Sequence, residues 1–319
     1  MRGLWLENRS LTYREDLPMP QPKADEALLR VRLAGICATD LEMVRGYYPF
    51  TGVPGHEFVA DVVSAPSAPE WEGKRVVGEI NISCGECAQC RAGRPTHCER
   101  RQVLGIWQRN GVFAEYTTLP VRNLHLVPPH VPDEAAVFTE PLAAALEIQQ
   151  QVHIHPEDRV LVVGAGRLGQ LIAWSLALTG AEVWAVFRHE HQRNLLAEHG
   201  VRPITAEEVP HWAMDVVVEA TGNPEGLALA KEAVHPRGTI VLKSTYAGET
   251  TLDISRWVVD EVNVVGSRCG PFAPALRHLA AGRIDPRPLI MGKYKIEDGV
   301  KAFERAAERG VFKVLIEPR

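Results

Sequence analysis

Residues 159–180 read RVLVVGAGRLGQLIAWSLALTG. Arg159–Val163 is a short apolar run with β-branched residues, and from Leu168 onward apolar residues recur at helical spacing. Between them Gly164-Ala165-Gly166-Arg167-Leu168-Gly169 forms a G-x-G-x-x-G in the strand-to-helix setting that makes the pattern a dinucleotide-binding turn. The first glycine makes the turn and the second lets backbone approach a pyrophosphate. The third lets helix pack on strand, and the helix N-terminus favours the phosphate charge. A glycine-rich turn without ligand is the bland alternative, and the flanking strand and helix weigh against it.

Strand and helix patterns go on alternating to about residue 267. The spacing predicts strands over 182–187, 215–219, 239–243 and 262–266, with helices over 190–198 and 224–233. That alternation predicts a doubly wound parallel sheet in a unit spanning 152–267. Upstream the chain reads as β-rich: Leu29, Val31 and Leu33 alternate with Arg30 and Arg32, and short apolar runs follow at 58–63, 75–77 and 113–118. Pro141 opens an apolar helical run to Ile148. The last fifty residues carry two helical patterns and a final strand, 313–316, without a core of their own. They are therefore expected to return to the first region, giving one domain from 1–151 and 268–319 around an inserted 152–267.

A chain of 319 residues accommodates two domains at roughly 150 residues each. Lys and Arg number 35 against 40 Asp and Glu, a net charge of -5 with no basic block, which argues against nucleic acid or an anionic membrane as partner. The apolar stretch 168–187 is broken by Gly169, Gln170, Ser175, Gly180 and Glu182, so it reads as helix plus strand, not a membrane span. The first residues, from Met1 to Glu7, lack the apolar core of a secretion signal, and a cytoplasmic location is expected.

Four of the six cysteines, Cys84, Cys87, Cys90 and Cys98, fall within fifteen residues. With no secretion signal this spacing points to metal rather than disulfides. Four thiolates close a tetrahedral shell, so the site is read as structural zinc. Cys37, His56, Glu57 and Glu140 are all zinc-ligand types, and three protein ligands would leave a position open for catalysis. Taken singly, each has a dull reading: a buried thiol, a core histidine, a surface carboxylate. Tyr47, Tyr48, Phe50 and Trp107 stand as candidates for a substrate pocket or for simple packing.

In order along the chain, Gly35-Ile36-Cys37-Ala38-Thr39-Asp40, Gly55-His56-Glu57, the four-cysteine segment, Gly111-Val112-Phe113-Ala114-Glu115-Tyr116, Glu140-Pro141-Leu142-Ala143 and Ala220-Thr221-Gly222 resemble the zinc-containing medium-chain dehydrogenase/reductase family. Glu140 makes the pattern similar to the polyol, sugar and threonine dehydrogenase branches. The resemblance implies a GroES-like β-rich catalytic domain formed by both chain ends around an inserted Rossmann domain. It implies two zinc ions per chain: one on the four cysteines, and one on Cys37 and His56 with Glu57 and Glu140 sharing the remaining coordination, directly or through water.

Asp40 would fix the orientation of His56. Thr39 would accept the proton of a substrate hydroxyl, and Lys313 would place a cation near Glu57 and the cofactor pyrophosphate. The implied activity is hydride transfer between a nicotinamide cofactor and an alcohol/carbonyl pair, with a polyol or other secondary alcohol as the expected substrate, in a homo-oligomer. Physiological carbonyl reduction and a non-catalytic zinc- and nucleotide-binding sensor are the alternatives. Glu42 stands where many relatives have a histidine, which leaves the outer proton relay open between carboxylate and water. At the end of the second Rossmann strand Phe187 replaces the acid that marks NAD-selective units, and Arg188 follows. A missing carboxylate and an adjacent guanidinium favour NADP over NAD, unless Phe187 only stacks on adenine. Thr221 completes the implied cofactor contacts.

Overall fold

A computed structural model describes residues 1–47, 49–245 and 249–318. The chain divides into two compact units, Met1–Glu140 with Phe272–Arg319, and Pro141–Pro271.

In the second unit six strands form a wholly parallel sheet: Arg159–Val163, Glu182–Val186, Arg202–Ile204, Met214–Glu219, Val234–Leu242 and Asn263–Gly266. Counted along the chain, their order across the sheet is third, second, first, fourth, fifth, sixth. The reversal beside the first strand marks the switch point of a doubly wound fold. Val160, Leu161 and Val162 in that strand are fully buried, as expected where helices cover both faces. Helix Arg167–Ala177 turns Leu171, Ile172, Trp174 and Leu176 inward. The third strand was not anticipated from sequence. It is three residues long and contains Pro203, whose missing N–H is tolerated because the strand lies at the sheet edge.

The first unit is built on strand Glu26–Gly35, in which Leu29, Val31 and Leu33 all point inward. It pairs antiparallel with Glu57–Ser64, Tyr116–Pro120 and Lys313–Glu317, so the last strand of the chain does return to the first region. Lys313–Glu317 also pairs in parallel with Ile290–Lys295. An N-terminal hairpin, Gly3–Glu7 with Ser10–Arg14, escaped the sequence reading; it turns through Asn8 and Arg9, both at positive φ as such tight turns require. No helix among the described residues is long and apolar enough to cross a membrane.

The units divide at Glu140/Pro141 and Pro271/Phe272, whereas the sequence placed the breaks at 151/152 and 267/268. Hydrogen bonds and close packing account for the difference. Gln149 Nε2 donates to Ser175 O at 3.2 Å, and Gln151 Nε2 to Gly266 O at 3.4 Å. A Cβ on Gly270 would fall 1.9 Å from Ala143 O. The helical segment after Pro141 and the turn before Phe272 therefore pack with the parallel sheet.

The glycines of the dinucleotide turn separate into two kinds. A Cβ on Gly169 would lie 1.8 Å from Gly164 O, whereas one on Gly166 would meet nothing within 4 Å. Gly169→Ala should thus lower stability by about 3 kcal/mol, read from denaturant midpoints. Gly166→Ala should change it by less than about 1 kcal/mol while weakening dinucleotide binding. Equal stability losses would contradict this division.

Candidate functional site

The turn carrying His56 is fixed from several sides. Gly55 has φ +97°, and a Cβ on either Gly105 or Gly111 would collide with its carbonyl oxygen, at 2.0 and 2.1 Å. Gly111 N, Phe113 N and Val112 N donate to Val53 O, Pro54 O and Gly55 O at 2.6, 3.0 and 3.1 Å. Glu115, two residues on, accepts from Arg2 at 2.7–2.9 Å. Residues 111–113 therefore serve as the clamp on this turn.

Against it lies the N-terminus of helix Ala38–Val44. The side chains of Cys37, His56 and Glu57 converge there, with ligand atoms within 4.8 Å of one another. His56 and Glu57 are almost wholly buried, while Cys37 remains partly open. Asp40 is fully buried; its Oδ2 accepts from Cys37 N at 2.8 Å and its Oδ1 stands 3.3 Å from His56 Nδ1. Neither Asp40 Oδ1 nor His56 Nδ1 has another partner, which fits Asp40 holding Nδ1 and leaving Nε2 to a ligand. Burial opposes charge on His56, yet Asp40 and the Cys37 thiol outweigh it and raise its pKa well above the usual value. A half-buried thiol beside a buried imidazole and carboxylate is a donor set suited to zinc.

Lys313 Nζ makes a close ion pair with Glu57 Oε2 and lies 3.5 Å from Ile36 O, beneath the Phe138 ring. The cation expected beside Glu57 is in place. Glu140, at the start of helix Thr139–Leu146, stands outside the three-ligand group. Thr39 Oγ1 is 3.8 Å from Cys37 Sγ, and Glu42 pairs at 2.5 Å with Arg45, which caps the end of the same short helix. Phe50 and Trp107 line a cavity of about 910 Å³ in the first unit whose walls include none of Cys37, His56 and Glu57. Tyr47 is not among its lining residues, and Tyr48 lies outside the described residues.

Cys84, Cys87, Cys90 and Cys98 form a second convergent group. Their recorded Sγ–Sγ separations are 3.4–3.9 Å. Four bonds of about 2.3 Å to one zinc set this spacing near 3.8 Å. Backbone N–H groups of Cys84, Cys87, Cys90 and Arg100 point at the sulfurs from 3.3–3.5 Å. Such donors, that of Glu86 foremost, hold the Cys84 thiol down to about 6, whereas burial and the adjoining thiols push Cys90 up to about 11. Four convergent sulfurs at this spacing make a donor set that would suit one divalent cation.

In the second unit Gly164, Ala165, Gly166, Arg167, Leu168 and Gly169 form the expected turn, with Gly166 capping the helix. The open space over Gly166 is the cradle that a pyrophosphate requires. Phe187 and Arg188 directly follow the second strand, Arg188 exposed. Thr221 is held by a residue that sequence reasoning passed over as merely the end of a strand. Glu219, almost wholly buried, accepts from Thr221 N at 2.6 Å and Oγ1 at 2.5 Å, and from Ser244 Oγ at 2.5 Å. Its signal was available: a carboxylate closing the apolar run 216–218. Two further omissions, Gln170 and Gln192, carry no motif signal at all.

Comparison with known proteins agrees with this geometry. The model for the alcohol dehydrogenase GroES-like domain matches residues 23–129, and that for ketopantoate reductase PanE/ApbA matches 160–242. D-arabinitol dehydrogenase 1 of Uromyces fabae is 30% identical, over 92% of this chain and 90% of that protein. Erythritol/L-threitol dehydrogenase of Mycolicibacterium smegmatis is 29% identical over the same shares. Among solved structures, a Sinorhizobium meliloti protein bound to NADP, provisionally named a zinc-binding dehydrogenase, superposes with TM-score 0.92 at 28% identity, covering 99% of both chains. An Escherichia coli alcohol dehydrogenase complexed with NADH gives 0.90 at 27% identity and the same coverage. With a GroES-like unit bearing a zinc-type donor set and a Rossmann unit bearing a dinucleotide turn, this chain belongs to the zinc-containing medium-chain dehydrogenase/reductase family, the nicotinamide-dependent oxidoreductases that act on alcohols.

Proposed function

We propose that this enzyme oxidises a secondary alcohol of the polyol type to its ketone, using NADP in preference to NAD and two zinc ions per chain. The observation that carries this reading is the convergence of Cys37, His56 and Glu57, with Asp40 behind the histidine and one side open. Zinc bound there would act as a Lewis acid on the substrate oxygen, and the nicotinamide would accept the hydride.

The chain's own residues do the rest. Cys37 and His56 bind the ion, Asp40 orients His56, and Glu57 contributes a carboxylate whose charge Lys313 balances. Glu140, outside that group, would contribute through water or by exchange. Thr39 Oγ1 takes the proton of the substrate hydroxyl, and Glu42, held by Arg45, or water passes it outward. In the second unit the turn at Gly166 receives the pyrophosphate and Thr221 lies where Glu219 fixes it. Phe187 offers no carboxylate to repel a 2′-phosphate, and the Arg188 guanidinium is available to pair with it. The polyol class is supported by the names of relatives acting on D-arabinitol and on erythritol or L-threitol.

Among the described residues the sixth strand, Asn263–Gly266, ends its sheet without a further strand, and Val258 and Val259 in the preceding helix are exposed, which supports a homo-oligomer. Five free thiols, Cys37, Cys84, Cys87, Cys90 and Cys98, suit a reducing cytoplasm.

Metal analysis of folded protein should find two zinc ions per chain, one lost to mild chelation together with activity and one retained with the fold. Cys87→Ser should harm stability more than Cys37→Ser; one zinc or none in folded protein contradicts the assignment. Thr39→Val should cut turnover at least about a hundredfold, the usual scale of proton-transfer catalysis, while cofactor affinity changes little. Turnover near the wild-type rate would remove Thr39 from proton transfer. A panel of polyols assayed with both cofactors tests the substrate class, and a higher kcat/KM with NAD would overturn the NADP preference.

A further inference from the structure

Gln170 is fully buried on the helix that follows the dinucleotide turn. Its Nε2 donates to Ala165 O in the turn at 3.3 Å, and to Gln192 O at 3.2 Å. Gln192, itself buried on helix Glu190–Glu198, uses its Oε1 to accept from Arg188 N at 2.8 Å and His189 N at 3.1 Å. A continuous chain of contacts thus runs from the phosphate-binding turn, through two buried amides, to the backbone of the loop after the second strand. On the near side Ala165 N donates to Val186 O at 3.0 Å, closing the circuit at the strand end.

Stability alone explains this arrangement poorly. Gln170 Oε1 is buried with no hydrogen-bond partner, a costly state that a leucine of similar size would avoid. Capping of helix Glu190–Glu198 accounts for the bond from Gln192 to His189 N. It does not account for the second bond, to Arg188 N, nor for the tie back to Ala165. Those are the two places where a dinucleotide is read: the pyrophosphate at the turn, and the ribose 2′ position at the end of the second strand.

We propose that Gln170 and Gln192 are positioning residues that fix the Arg188 loop relative to the glycine turn and thereby set how strongly the protein distinguishes a 2′-phosphorylated adenosine from an unphosphorylated one. The proposal rests on the dinucleotide reading given above, and it assigns specificity to side chains that touch neither phosphate nor ribose. With Oε1 removed, the Arg188 and His189 amides lose their acceptor and the loop that carries the guanidinium is released. Pyrophosphate binding at the turn depends on Gly164 and Gly166 and is affected less.

The test is calorimetric titration of the full chain with ADP-ribose and with 2′-phospho-ADP-ribose, which needs neither metal nor turnover. Gln192→Ala should weaken 2′-phospho-ADP-ribose by about tenfold, and by at least fivefold more than it weakens ADP-ribose. Gln170→Leu, which fills the same buried volume, should shift the ratio in the same direction by a smaller factor and keeps the test open should Gln192→Ala fail to fold. A general loss of structure would weaken both fragments alike, so an unmoved ratio in the folded variants overturns the proposal. Wild-type protein that binds ADP-ribose more tightly would overturn the NADP preference instead. The bridge would then still be judged by whether the variants move the ratio.

Discussion

Glu57 and Lys313 lie 256 residues apart in sequence, both almost wholly withdrawn from water, and each is tolerable in the interior only because the other is present. Removing one partner of such a pair costs about 3–5 kcal/mol, because the remaining charge is stranded. The pair fastens the last strand, Lys313–Glu317, to the turn that presents His56. Gly35 has to be glycine for the same reason: a Cβ there would lie 2.5 Å from Glu57 Oε2. The closing strand of the first unit is therefore part of the proposed metal-binding arrangement, not a mere completion of the sheet.

Charge and geometry are matched around that pair. A thiolate and two carboxylates beside one ion would crowd negative charge, and Lys313 offsets the carboxylate of Glu57 while Asp40 acts through His56. The clamp from Gly111 to Phe113 then holds the turn through backbone hydrogen bonds, with the Phe113 ring packed close against Gly55. Rigidity at the ligands and openness at Cys37 are the two properties that a metal site needs in order to bind substrate reversibly.

Much of this was legible in the sequence because local chemistry fixes it. The apolar run 159–163 followed by G-x-G-x-x-G specified strand, turn and helix together, and the structure has a strand at Arg159–Val163 and a helix from Arg167. The four cysteines declared themselves by spacing, and Cys37, His56 and Glu57 by motif. What escaped depends on partners distant in sequence. Gln170 looks like any helical residue until its amide is seen between Ala165 and Gln192. The three-residue strand at Arg202–Ile204 exists because the Glu182–Val186 strand offers it an edge, which no local pattern announces. Likewise the helical turn after Pro141 joined the parallel-sheet unit through Gln149 and Gly270, contacts that periodicity cannot supply.

The site is built for direct hydride transfer between the carbinol carbon of a secondary alcohol and a nicotinamide. That transfer is tested most directly with a polyol deuterated at the oxidised carbon, followed by mass spectrometry of the reduced cofactor. One deuterium per turnover should appear on the nicotinamide ring with none released to water. Ketone formation with the label lost to solvent, or label absent from the cofactor, would contradict it.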